Sequence, residues 1–161
     1  MPNTYTQLHV QIVFTVQGRA NLIPKQHKEA LHQYITAIVR NKKHKVLAIN
    51  SMPDHVHLFV GLNPDESLSD LVRDVKANSS AFIKAKKWIP SHFAWQKGYG
   101  AFSYGHSQID AVVKYIKNQE KHHAKKSFKE EYIEMLERFN VSYDNKYLFE
   151  WIEQGAAPTE L

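Results

Sequence analysis

The run Met52-Pro53-Asp54-His55-Val56-His57-Leu58-Phe59-Val60 constrains this chain more than any other. Side chains at i and i+2 of a strand share a face, so an extended 54–60 sends Val56, Leu58 and Val60 to one side and His55, His57 and Phe59 to the other. The first set calls for an apolar layer to cover it. The second sets two imidazoles side by side, where they could hold one divalent metal. Two imidazoles rarely complete a metal site, and the strand offers no third ligand nearby. An H-x-H pair on the polar face of a half-covered strand can equally be plain solvated surface. The rest of the chain has to decide.

Its periodicities alternate in a definite order. Leu8, Val10, Ile12, Phe14 and Val16 recur every second residue, the period of a strand covered on one face. After Pro24 the period lengthens, and Leu31, Tyr34, Ile35, Ile38 and Val39 form a helical stripe that should end near Asn41. Two strands follow, over 45–52 and 54–62, joined by the Met52-Pro53-Asp54 turn. A second helix opens at Ser67 and carries Leu68, Leu71, Val72, Val75, Phe82 and Ile83 as far as about Lys87, before Pro90 forbids continuation. A fourth strand falls within 93–104, where Gly98 and Gly100 suggest a bulge or the close approach of another backbone. The order βαββαβ predicts an α+β, ferredoxin-like fold: a four-stranded antiparallel sheet with two helices on one face. His55, His57 and Phe59 then lie on the other face.

The next segment supplies a cover for that face. Ile109, Val112, Val113 and Ile116 give 107–126 the stripe of a third helix, which a βαββαβ unit does not require. Tyr115, Gln119, His122 and Lys126 follow a parallel row on its flank. A tyrosine there is ordinarily a packing aromatic with a satisfied hydroxyl, and a glutamine is ordinarily surface. A phenol and an amide one turn apart are also what a tyrosine nucleophile and a metal-ligating carbonyl need.

Composition limits the possible partners. A chain of 161 residues that is 43% hydrophobic suits one domain. No window reaches the about 18 consecutive apolar residues of a membrane span, and Met1-Pro2-Asn3-Thr4-Tyr5 leads straight into strand pattern, so a soluble protein with no membrane partner is expected. With no cysteine there is no disulfide, thiolate zinc site or thiol nucleophile, and Mg²⁺ or Mn²⁺ becomes more plausible than structural zinc. The formal charge is +5. Its basic residues cluster at 40–45, 84–87 and 114–129, and three such runs together favour a nucleic acid, although each alone is ordinarily a solvated helix face.

With these residues in view, a family resemblance can be stated. Asp54-His55-Val56-His57-Leu58-Phe59-Val60 and Val113-Lys114-Tyr115-Ile116-Lys117-Asn118-Gln119 resemble the two signatures of the single-tyrosine HUH transposases of the insertion sequence 200/605 type. Residues 95–103 resemble that family's last strand, and the likeness spans roughly 4–128. H-x-H alone is weak, but followed at this distance by Y-x-x-x-Q it is specific. The resemblance implies a transposase that cleaves and rejoins single-stranded DNA at hairpin ends of a mobile element in a prokaryotic cytoplasm. It assigns His55, His57 and Gln119 to a Mg²⁺ or Mn²⁺ ion and Tyr115 to the role of nucleophile, through a 5′-phosphotyrosine. It also implies a homodimer in which the tyrosine helix can serve the partner's histidines in trans.

Two other readings stay open at this point. A domesticated relative acting on chromosomal repeats, or a replication nickase, would show the same motifs. Leu58-Phe59-Val60-Gly61 and Lys97-Gly98-Tyr99-Gly100-Ala101-Phe102-Ser103-Tyr104 partly resemble the two signature strands of an RNA-recognition motif, although the spacing between them lacks a full strand. Residues 1–128 are expected to form the nuclease domain and 129–161 a C-terminal tail packed on it or on a partner subunit. Within the tail, Ser127 and Glu130 make a capping box for a helix reaching about Asn140. Tyr143, Tyr147, Phe149 and Trp151 suggest further packing, and 156–161 should fray.

Overall fold

The computed structural model describes residues 3–19, 22–89, 92–123 and 126–144. Strands β1 (His9–Thr15), β2 (Lys45–Met52), β3 (His55–Gly61) and β4 (Gly100–Tyr104) form one antiparallel sheet in the order β2-β3-β1-β4. Helices α1 (Lys28–Asn41) and α2 (Leu68–Lys86) complete the βαββαβ unit, which is the ferredoxin-like arrangement expected from the periodicities. Ile12, Phe14, Val56, Leu58 and Val60 meet Leu31, Ile35, Val39, Leu71, Val72 and Val75 in one buried cluster on the helix side. Leu8, read as the first residue of the β1 stripe, lies just before the strand and is exposed.

Local chemistry fixes the ends of the elements. The Ser67 hydroxyl accepts the Asp70 N–H at 3.1 Å and starts α2, and Asp70 near the first turn with Lys84 and Lys86 in the last complements the helix dipole. The chain leaves α2 at Lys87, which takes a left-handed conformation before Pro90 is reached. Gly98 also adopts positive φ. At Gly100 a Cβ would meet the Tyr132 hydroxyl at 2.5 Å, so the close approach expected there is made by a side chain rather than by backbone.

One irregularity decides what faces what. β2 is read from the sequence as a continuous strand, but its register against β3 slips between Val46 and Ala48. Each added residue reverses the faces of everything after it. Val46 and Ile49 therefore both join the helix-side core, while Ala48 packs with Phe59 on the opposite face. Asn50 is brought across from His57.

That opposite face is covered by later elements: α3 (Ile109–Lys117), α4 (Gln119–His123) and α5 (Phe128–Arg138). Val112 and Ile116 of α3 pack on Phe59 and Ala48, and Phe128, Met135 and Leu136 of α5 pack on Val13 and Phe102. The single helix expected over 107–126 is divided at Asn118. The cause is tertiary: Asn50 Nδ2 donates to the Ile116 carbonyl at 2.8 Å and reaches that of Lys117 at 3.5 Å, engaging carbonyls that end α3. The α5 capping box forms as read, with Ser127 Oγ and Glu130 exchanging hydrogen bonds with each other's backbone N–H. Tyr143 is partly exposed with its hydroxyl donating to Glu137, whereas Tyr147, Phe149, Trp151 and 156–161 lie outside the described residues.

Candidate active site

His55 and His57 project from the start of β3 onto the α3–α5 side, and both are fully buried. Each ring is held through its Nδ1. His55 Nδ1 donates to the Asp54 carboxylate at 2.7 Å, and His57 Nδ1 donates to Gln11 Oε1 at 2.7 Å. Gln11 is oriented in turn by its Nε2, which donates to the Tyr104 hydroxyl at 3.0 Å. Protons fixed on Nδ1 leave Nε2 as the nitrogen of each ring that can ligate, the tautomer that metal-binding histidines need. Burial pushes the His57 imidazole below its ordinary pKa, with the Glu131 carboxylate pulling the other way, and a ring kept neutral is again what a metal requires.

Tyr115 and Gln119 reach the same place from either side of the Asn118 break. The Tyr115 ring stands 6.0 Å from that of His57 and nearly perpendicular to it. Gln119 is fully buried, and its Nε2 donates to Glu131 Oε2 at 3.1 Å. All four residues singled out by the motifs, His55, His57, Tyr115 and Gln119, are thus gathered within one chain. Lys126 does not continue their row. It lies in the turn before α5 and pairs with Glu134 at 2.6 Å, while the His122 side chain is outside what the structure describes.

Glu131, on the first turn of α5, is the member that the sequence did not disclose. It is 5% exposed, accepts the hydrogen bond of the Tyr115 hydroxyl, and places Oε1 3.4 Å from His57 Nε2. One ring nitrogen from each histidine and one Glu131 oxygen lie within 4.8 Å of one another. Two imidazoles and a carboxylate suit a divalent cation, so the residues present fit one. The neighbouring Phe128 ring stacks on His55 at 3.8 Å and closes one side. A cavity of about 410 Å³ opens on the other, lined by Tyr115 and Glu131 together with Lys126 and Arg138. In the sequence Glu131 stands beside the capping glutamate as an ordinary first-turn acid, and the only hint of burial is that it neighbours the Phe128–Tyr132 stripe.

Fold and site together define an α+β domain that sets a tyrosine hydroxyl beside a buried His–His–Glu cluster. The chain belongs to the family described as transposase IS200 like, whose model matches residues 4–119. It is 23% identical over 118 residues to the ISDra2 transposase TnpA of Deinococcus radiodurans, covering 70% of this chain and 84% of that one. Two solved structures share the fold. One is a crystal structure of a putative transposase from Deinococcus radiodurans R1, with TM-score 0.59, 20% identity, and coverage of 73% of this chain and 94% of that one. The other is a REP-associated tyrosine transposase bound to a REP hairpin, with TM-score 0.57, 18% identity, and coverage of 75% and 72%. Among the described residues no helix is long and apolar enough to cross a membrane.

Proposed function

We propose that this transposase-family chain cuts and rejoins single-stranded DNA at the ends of a mobile element, with Tyr115 as the nucleophile. One observation carries the reading: the Tyr115 hydroxyl, the Gln119 amide and the His55–His57 pair meet around one buried point beside a cavity edged by Lys126 and Arg138. The Tyr115 hydroxyl gives up its proton as its oxygen attacks phosphorus, the bond to the 3′ oxygen breaks, and that oxygen takes up the proton to leave as a 3′-OH. The 5′ end remains as a phosphotyrosine. A second 3′-OH then attacks that phosphorus, the bond to the tyrosine oxygen breaks, and the phenol regains its proton. No ATP is needed, because the covalent link conserves the phosphodiester.

A phenol of pKa about 10 is a poor nucleophile toward a phosphodiester. Mg²⁺ or Mn²⁺ held by His55, His57 and Gln119 would supply neutralisation of the phosphate charge. Burial keeps His57 neutral and Gln11 orients its ring, while Asp54 orients the ring of His55. The DNA hairpin in the REP-associated relative supports a hairpin end as substrate here. The reading includes a homodimer in which the tyrosine helix can serve the partner's histidines in trans. An active mobile element is favoured over a domesticated role by the match to the ISDra2 enzyme.

The test is covalent trapping of labelled single-stranded end oligonucleotide with a divalent metal. A protein–DNA adduct that Tyr115→Phe loses, while still binding the DNA, is the expected result. A Tyr115→Phe protein that cuts at the normal rate removes the tyrosine from its role. A wild-type protein that binds DNA and yields no adduct makes the chain a non-catalytic binding module.

A further inference from the structure

Resting on that reading of the site, we infer that Glu131 is itself a ligand of the divalent cation, delivered by α5 from outside the segment that matches the family. The matched segment ends at residue 119. Nothing in H-x-H or Y-x-x-x-Q asks for a carboxylate twelve residues after the glutamine, yet the buried Glu131 places Oε1 3.4 Å from His57 Nε2.

Distance distinguishes a ligand from a hydrogen-bond partner. His57 Nε2 and Glu131 Oε1 are 3.4 Å apart, beyond the about 2.7–3.2 Å of a well-formed N–H···O bond. Two donors that each stand about 2.1 Å from one ion, at angles between a right angle and the tetrahedral value, are separated by about 3.0–3.4 Å. The full set of His55, His57 and Glu131 donors lies within 4.8 Å, so it closes on an ion by side-chain adjustments of about 1 Å.

Charge gives the same answer. His55, His57 and Gln119 are neutral donors, and a dication held by them alone keeps its whole charge in a buried site. Glu131 cancels half of it. The Gln119 amide N–H at 3.1 Å and the Tyr115 hydroxyl both donate to Glu131 Oε2, so that Oε1 faces His57, while the α5 capping box fixes the turn the residue stands on. Its partner bond to Tyr115 also keeps the nucleophile next to the ion's ligand. Two imidazole nitrogens and a carboxylate favour Mn²⁺ over Mg²⁺, which prefers oxygen alone.

The experiment measures Mn²⁺ binding to the full chain without DNA, by electron paramagnetic resonance of the free ion, for wild type, E131Q, E131D, H57A and E134Q. Loss of even an outer partner of a metal ligand lowers affinity about 10–100-fold, and E131Q should lose at least that. E131D, which keeps the charge on a shorter arm, should fall between. E134Q, which removes an exposed carboxylate one turn on, should bind as wild type does. The ligand-field spectrum of saturating Co²⁺ should also differ between E131Q and wild type, a readout that a purely structural glutamate would not move. If H57A loses Mn²⁺ while E131Q holds it within twofold and gives an unaltered Co²⁺ spectrum, Glu131 is no ligand and the two-histidine site stands. If H57A binds as wild type does, or wild type binds no metal, the histidine site itself is wrong.

Discussion

The two faces of this sheet are built from the same strands and do opposite things. Toward α1 and α2, successive β1 and β3 residues offer Ile12, Phe14, Val56, Leu58 and Val60, and hydrocarbon seals them. Toward α3 and α5, the residues between them are Gln11, Val13, Thr15, His55, His57 and Phe59, all buried as well, and four of these six are polar. Burying polar groups is costly unless each is bonded, and here they are bonded in a chain that runs Tyr104–Gln11–His57 and Asp54–His55. One face of these two strands is therefore apolar throughout, and the other sets oriented polar groups among its apolar contacts. A strand with period 2 can serve both purposes with no residue doing both.

The largest expected effect is at Tyr115. Tyr115→Phe should lower formation of the covalent DNA adduct by at least about 10³-fold, measured by gel shift after denaturation, with little change in the thermal midpoint. His57→Ala should abolish the metal response of cleavage to a similar extent. The adjacent Leu58 should behave in reverse. Leu58→Ala should cost about 2–5 kcal/mol of stability by chemical denaturation, while the protein that remains folded still forms the adduct. Equal effects of the His57 and Leu58 changes on both readouts would erase the division between the faces.

His32 sharpens the contrast, because it is a polar group on the helix side. Its Nε2 meets Ser51 Oγ at 2.8 Å, and burial holds its pKa at about 4, against 6.5 for the unperturbed ring. In the unfolded chain the ring takes its proton first. Stability therefore rises with pH between about 4 and 6.5, and acidification through that window should remove about 3 kcal/mol. Denaturation midpoints of His32→Gln against wild type should converge as the pH falls. A smaller effect belongs to Gly100, where Gly100→Ala would press on Tyr132 and cost about 1–3 kcal/mol, read as a lower melting temperature.

Sequence made the apolar face legible because period is a property of neighbours. Val56, Leu58 and Val60 announce their side whatever packs on them, and so, by exclusion, His55 and His57 announce theirs. Tyr115 and Gln119 were legible only as one row on one helix, and the helix is in fact broken between them. The break depends on Asn50, nearly seventy residues earlier, which no local pattern around 118 records. The slip in β2 that aims Asn50 is equally silent, since Val46 to Ile49 reads as an unbroken apolar run. Glu131 was hidden for a different reason. In sequence a buried acid and a solvated first-turn acid are the same letter, and only the packing of Phe128 on His55 tells them apart.

The capping box of α5 settles an angle as well as an end. Successive residues of a helix are turned by about 100° around its axis, so the residue at which the helix begins decides the direction of every side chain after it. With Ser127 and Glu130 locked together, Glu131 has one bearing, toward Tyr115 and His57. A start one residue earlier or later would swing that bearing by more than a quarter of a circle. Two exposed polar residues that touch neither histidine thus act as the compass setting for the carboxylate that does.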